Sequence, residues 1–355
     1  MLVKDFDYEL PKELIAQYPS HRREESKLLV VHRENQKIEH RKFYDIVDYF
    51  TPGDVLVLNE TKVIPARLIS RRIDTGGKVE VLLLRPCQNV GATFSSEKAN
   101  SIEWEVLISP GRAKKPGVRV EFGPELWGEV QSTSPKTCFK FYRNSIAGDC
   151  PPQSFNTLLH KYGQVPLPPY IKRKPDTADE NRYQTVYAKV PGACAAPTAG
   201  LHFTHSILNK IREKEVEIAK IVLHTGFGTF KPIKCEKVEE HKMEPEYYEI
   251  SENSAHKINQ ANRVIAVGTT TIRTLESASI RSIIKPSKGW TNKFIYPPYK
   301  FKVANVLITN FHLPKSTLLL LVSAFASKEL IFNAYKEAIN RRYRFYSYGD
   351  AMLII

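Results

Sequence analysis

The chain has 355 residues, 42% of them hydrophobic and 25% charged, which rules out wholesale disorder and supplies enough apolar surface for two domains. Lys and Arg number 52 against 38 Asp and Glu, and the net charge of +14 points to a polyanion, nucleic acid before an anionic membrane, with plain solubility charge as the alternative. Five scattered cysteines without a CxxC pair argue against a disulfide framework and a zinc site; charges within Met1–Leu10 and the short apolar run Leu318–Ala326 argue against a leader and a membrane span, so a cytoplasmic protein is expected.

From residue 1 to about 70 helix and strand signals mix. Pro11–Tyr18 reads as a helix start, Leu28–His32 as a strand, and Lys42–Phe50 as a helix with Phe43, Ile46, Val47 and Phe50 on one face. The turn Thr51-Pro-Gly-Asp54 leads into the buried strand Val55-Leu-Val-Leu58. Between about Arg71 and Asn144 the helical period disappears. Lys78–Leu84, Trp104–Ile108, Val118–Phe122, Gly128–Ser132 and Thr137–Arg143 are short strand candidates between Gly and Pro turns, with Gln88–Ser101 as a loop. After Pro151-Pro152 helices return: Ser154–Tyr162, His205–Val216, Ser251–Arg263, Thr270–Ser279, Ser316–Ala326 and Glu329–Arg342. They alternate with strands at Glu217–His224, Val264–Val267 and Val303–Thr309. The expected fold is an α/β main domain (mixed sheet with helices, residues 1–70 and 151–355) carrying an inserted small β-barrel domain at residues 71–150.

Four loops gather Gly, Thr and His where strands or helices should end. Gly192–Thr204 precedes a helix whose free amides suit an anion; the plainer reading is a tight connection capped by Thr204. His224-Thr-Gly-Phe-Gly-Thr-Phe230 has no GxGxxG spacing, and Pro232 forbids an early helix. Val264–Glu276 runs strand, Gly-Thr-Thr turn, helix, which is either an anion pocket or an ordinary turn with an Arg273–Glu276 ion pair. Thr309–Ser316 follows another strand, where α/β sheets bind ligands. His202, His224, His241 and His312 all stand in or beside loops, so proton transfer is open to them. His202 and His205 at i, i+3 lack the partners of a metal site, and no metal is expected. Two segments interleave basic and aromatic residues, Pro169–Lys174 with Arg182-Tyr183, and Arg341–Tyr348. Arg and Lys neutralise phosphates while Tyr and Phe stack on unpaired bases; a solvated helix face with core anchors is the alternative.

These loops also carry a resemblance. Phe6–Pro11, Gly53–Leu68, Val165–Ile171, Tyr183–Tyr187, Ala195–Phe203, Gly226–Phe230, His241–Glu246, Val264–Gly268, Leu275–Ser277, Thr309–Pro314 and Tyr343–Met352 closely resemble, in order, the S-adenosylmethionine:tRNA ribosyltransferase-isomerases of queuosine biosynthesis. The resemblance implies an α/β domain with an inserted barrel. It implies transfer of the ribosyl group of S-adenosylmethionine to the aminomethyl group of 7-aminomethyl-7-deazaguanine at the tRNA wobble position, giving epoxyqueuosine-tRNA, adenine and methionine. No cofactor is implied, because S-adenosylmethionine is consumed; a monomer is the default. Cys194, Thr225, Pro298 and Lys27 depart from the family's usual residues.

Within these motifs, side-chain chemistry selects the candidates. His202 and His224 suit acid–base work, with His312 and Glu276 behind them. Pro197, Thr198, Gly200, Gly226, Gly228, Thr229, Gly268, Thr269, Thr270 and Arg273 are the expected S-adenosylmethionine contacts, with the Gly268–Arg273 turn on the methionine carboxylate. Asn59, Lys62, Arg67, Tyr170, Lys172, Arg173, Arg341, Arg342 and Tyr346 are the expected tRNA contacts. Two rivals stand beside this reading. A non-catalytic tRNA-binding protein needs the charge but not the four loops, and a methyltransferase needs a Gly-rich first strand–loop–helix that is missing.

Overall fold

The computed structural model describes residues 1–87, 101–144 and 153–355. Most of the expected loop Gln88–Ser101 and the Pro151-Pro152 boundary lie outside the described residues.

A nine-stranded mixed sheet forms the main body, in the order Ser287–Thr291, Glu246–Ile250, Glu217–Leu223, Asp54–Asn59, Arg263–Val267, Val306–Asn310, Ala351–Ile354, Lys27–Val31 and Ile38–Lys42. The four strands from Glu217–Leu223 to Val306–Asn310 are parallel, so their carboxyl ends share one edge. Three of them carry continuous apolar runs because both faces are covered, whereas Glu217–Leu223 is broken by the exposed Lys220. Val55, Val57, Ala266 and Leu307 face the helices Glu252–Gln260, Thr269–Ala278, Thr317–Ala326 and Lys328–Asn340. Leu56, Leu58, Val267 and Ile308 face the helix His205–Glu213 and the 3₁₀ segment Phe43–Tyr49. Each fully buried aliphatic chain contributes about 1.5–3 kcal/mol.

The second body is a six-stranded antiparallel barrel of Arg67–Arg72, Lys78–Pro86, Ser101–Ser109, Cys138–Arg143, Leu126–Ser132 and Arg119–Gly123, closed where Arg71 and Arg72 pair with Glu121 and Val120. Alternation sets its inside: Phe139, Phe141 and Arg143 point in, while Lys140 and Tyr142 lie less buried between them. The helix Phe155–Tyr162, capped by Ser154, packs Phe155, Leu158 and Leu159 into the same core. The first barrel strand straddles residue 71, so Arg67–Ser70 belong to the barrel sheet.

Several elements differ from the expectation. Pro11–Tyr18 holds only the 3₁₀ turn Lys12–Leu14, because Leu14 and Ala16 bond to the Phe345 backbone and pull the chain extended. Lys42–Phe50 winds as 3₁₀ rather than α-helix, with Phe43, Ile46 and Phe50 buried as expected. The strands Ile38–Lys42 and Ser287–Thr291 went unread, since as sheet edges they carry polar residues and no apolar period. The apolar run near Leu318 is the packed helix Thr317–Ala326, and among the described residues no single helix is long and apolar enough to cross a membrane.

Candidate functional site

The four Gly/Thr/His loops meet at the carboxyl edge of the parallel strands. Asn59 pins that edge: its Nδ2 donates to Leu223 O (3.0 Å), and its Oδ1 accepts from the Leu223 and Thr61 amides (3.0 and 3.2 Å). Asn59 is buried, and its Nδ2 also lies 3.5 Å from Thr270 Oγ1. Gly268 turns the chain at φ +89°, a conformation open to glycine, and starts the helix Thr269–Ala278.

A small cavity of about 50 Å³ lies at this edge, lined by Pro197, Thr198, Thr229, Gly268, Thr269, Thr270 and His312 among others. A large cavity of about 700 Å³ lies beside it, between sheet and barrel, lined by Gly226, Gly228, Thr229 and His224, with Trp104 and Lys140 from the barrel. Thr229 stands in the wall of both. Eight of the ten expected S-adenosylmethionine contacts thus line one cavity or the other. Gly200 and Arg273 line neither. A Cβ on Gly200 would overlap the Tyr187 hydroxyl, which makes that glycine a packing requirement. Arg273 donates through Nη1 to Glu246, which also accepts from the Gly226 amide at 2.8 Å. The alternative Arg273–Glu276 pair does not form; Arg273 braces the Gly226 loop through Glu246, and its Nη2 is buried without a partner.

The histidines separate clearly. His224 Nδ1 lies 2.7 Å from Thr61 Oγ1, its Nε2 is buried and unpartnered, and the residue lines the large cavity. Gly192, at φ +152°, makes room for this ring: a Cβ there would sit 2.6 Å from His224 Nε2. His312 bonds through Nε2 to Thr309 Oγ1 (2.8 Å) and lines the small cavity. His202 is enclosed, with Nδ1 on Ser26 Oγ (2.8 Å), Nε2 near Asn310 Nδ2 (3.3 Å), and its ring against Phe43; it lines neither cavity. Glu276 also lines neither, its oxygens accepting from Tyr299 OH (2.8 Å) and the Lys302 and Val303 amides (3.0 and 3.2 Å). Those bonds hold the segment 299–303 against the helix.

Burial pushes all three imidazoles down, to about 3 for His202 and His312 and about 4 for His224, so each is neutral at pH 7. In the unfolded chain they take up protons below about pH 6.5. Between pH 6.5 and about 4 the unfolded state binds more protons, so stability falls as pH falls through that window. The urea midpoint is expected to be lower at pH 5 than at pH 7.5; equal midpoints would show that these rings are not buried neutral.

The expected tRNA contacts scatter. Tyr170 and Tyr346 lie in the wall of the small cavity with ring centres 4.7 Å apart and planes tilted by 54°, and Tyr170 OH is 2.6 Å from Ser347 Oγ. Arg173 forks onto Asp179 at 2.6 and 2.7 Å, and Arg67 onto Glu80 at 2.9 and 2.8 Å. Lys62 and Lys172 are exposed. Arg341 is exposed and pairs with Glu337, and Arg342 joins Lys27, Lys42 and Arg344 around a shallow surface hollow. Sequence reasoning passed over the large cavity's own wall: Lys231, Lys234, Lys242 and Trp290, and the small cavity's Thr225, whose buried Oγ1 is unpartnered. The signal for Thr225 was its polarity beside His224; nothing local marked the others.

A family profile described as Queuosine biosynthesis protein matches residues 3–354. Proteins named S-adenosylmethionine:tRNA ribosyltransferase-isomerase are similar over the full length of both chains, at 50% identity in Carboxydothermus hydrogenoformans and 49% in Clostridioides difficile. A crystal structure titled S-adenosylmethionine tRNA ribosyltransferase, from Thermotoga maritima, aligns with a TM-score of 0.54 at 36% identity, covering 99% of this chain and 100% of that one.

Proposed function

This chain belongs to the queuosine biosynthesis protein family and is a transferase of the tRNA ribosyltransferase-isomerase kind; from that premise we propose how its site does the work. S-adenosylmethionine is held at the carboxyl edge of the parallel strands, and its ribosyl group passes to the aminomethyl group of a 7-deazaguanine at the tRNA wobble position. The products are epoxyqueuosine-tRNA, adenine and methionine. S-adenosylmethionine is consumed as a substrate, and the path calls on no metal.

One observation carries the reading: His224, with a buried and unpartnered ring nitrogen, lines a large cavity next to the glycine- and threonine-rich strand ends. The small cavity, at about 50 Å³, is too small for the whole cosubstrate, so the molecule extends past Thr229 into the larger one. The sulfonium acidifies the C5′–H. With Nδ1–H donating to Thr61 Oγ1, His224 presents its Nε2 lone pair to take that proton. The carbanion at C5′ breaks the C4′–O4′ bond, O4′ becomes the C1′ carbonyl as the C1′–N9 bond breaks, and the departing adenine takes a proton. The amine adds to C1′, losing a proton, and O4′ returns to C4′, restoring the carbanion at C5′; that carbon bonds to C1′ as the C1′–O4′ bond breaks, and the freed O4′ displaces methionine from C5′ and closes the epoxide. The walls of sheet and barrel keep water from the intermediate.

A protein that only bound tRNA would have no use for a buried nitrogen left without a partner, which costs stability. The test is isotopic. Label in the ribosyl carbons of S-adenosylmethionine should enter the modified tRNA, and label in its methyl group should leave as methionine. Transfer of the methyl label to RNA would mean a methyltransferase and end this reading.

A further inference from the structure

The large cavity has an outer half that the cosubstrate reading leaves unused. At its rim stands Trp290, on the edge strand Ser287–Thr291, 41% exposed. Its ring meets Tyr247 edge-on at 5.8 Å, and Tyr247 lies nearly parallel to His224, also at 5.8 Å. The three rings therefore run from the rim to the unpartnered Nε2. Lys231, Lys234 and Lys242 line the same cavity, as do Glu240 and Glu244; the three lysines are exposed, and none of them forms an ion pair among the described residues. Many of the chain's other cations are already spent, as Arg67, Arg85 and Arg173 are on Glu80, Glu105 and Asp179. An exposed indole beside unpaired ammonium groups is the pairing that a splayed-out nucleotide needs: a flat apolar face for the base and charge for its phosphates.

We propose that this outer half is the acceptor-nucleotide subsite. It rests on the ribosyl-transfer reading. The wobble base leaves the anticodon stack and lies on Trp290, its flanking phosphates meet Lys231, Lys234 and Lys242, and its aminomethyl arm points inward along Tyr247 towards His224. The subsite lies apart from the basic-aromatic segments Pro169–Lys174 and Arg341–Tyr348, where Tyr170 and Tyr346 face inward.

The experiment uses the full chain and a tRNA carrying 7-aminomethyl-7-deazaguanine, with Trp290→Ala and Trp290→Phe. Trp290→Ala should raise KM for tRNA roughly 5- to 100-fold, as loss of a base stack does, with kcat at saturating tRNA and affinity for S-adenosylmethionine little changed. Trp290→Phe should restore most of the loss. Binding is read independently of chemistry by tryptophan fluorescence: tRNA should quench the wild type, and the quench should vanish in Trp290→Phe. Replacing the three lysines by Glu should flatten the fall of affinity with salt. An unchanged KM in Trp290→Ala, or equal losses of affinity for tRNA and S-adenosylmethionine, would overturn the subsite. Trp290-dependent quenching without adenine release would keep the subsite and sink the reaction reading.

Discussion

Replacing His224 by Ala is expected to lower the rate of adenine release by a factor of about 10²–10⁴, the range that a positioned general base contributes. S-adenosylmethionine should still bind, because the strand-edge loops proposed to hold it do not depend on the imidazole. The expectation follows from placement. Of His202, His224 and His312, only His224 has a buried ring nitrogen without a partner and lines the large cavity. His202→Ala should act on stability instead, since it empties a packed site between Ser26 and Phe43. The pH profile follows the same geometry. Burial holds His224 down at about 4, so the base stays unprotonated from neutral pH downwards, and its contribution to kcat is lost only as pH falls through about 4. Thr61→Val removes the partner of Nδ1 and should cost roughly tenfold by freeing the tautomer. Full turnover by His224→Ala would transfer the base role elsewhere.

The second large effect is on stability. Glu246→Ala leaves the Arg273 guanidinium buried at 3% exposure without its carboxylate. Breaking a buried pair from one side costs about 3–5 kcal/mol, because the remaining charge has lost both water and partner. The Gly226 amide loses its acceptor in the same change, so the loop between the two cavities loosens as well. Adding Arg273→Met should recover much of the loss, since an apolar chain of similar length needs no partner. Urea unfolding of the two variants decides it. A loss below about 1 kcal/mol in Glu246→Ala, or no recovery in the double variant, would mean that the pair is not buried as described.

How far the sequence carried the account depends on whether a signal is local. The central strands were legible because Val55–Leu58 and Val264–Val267 are unbroken apolar runs, and the barrel strands because they sit between turn residues. Small residues at strand ends gave the loops of the site, since the chain must turn there. Partners far along the chain were illegible. Arg273 has Glu276 one turn away, yet it pairs with Glu246, 27 residues back and across the sheet. His202 looks like His224 in sequence, but Ser26, 176 residues away, occupies its Nδ1. Interleaved basic and aromatic residues likewise do not say which side chains turn inward. Tyr170 and Tyr346 do, and Arg173 is held by Asp179, whereas Trp290 stays exposed with nothing beside it in sequence to mark it.

The central claim is that the strand-edge site breaks S-adenosylmethionine between adenine and ribose and passes the ribosyl group to a modified tRNA. Adenine release is the most direct measurement, made with tRNA carrying 7-aminomethyl-7-deazaguanine and with unmodified tRNA in parallel. Adenine and methionine are expected with the modified tRNA alone. Tight binding of both tRNAs with adenine from neither, or S-adenosylhomocysteine in its place, would contradict it.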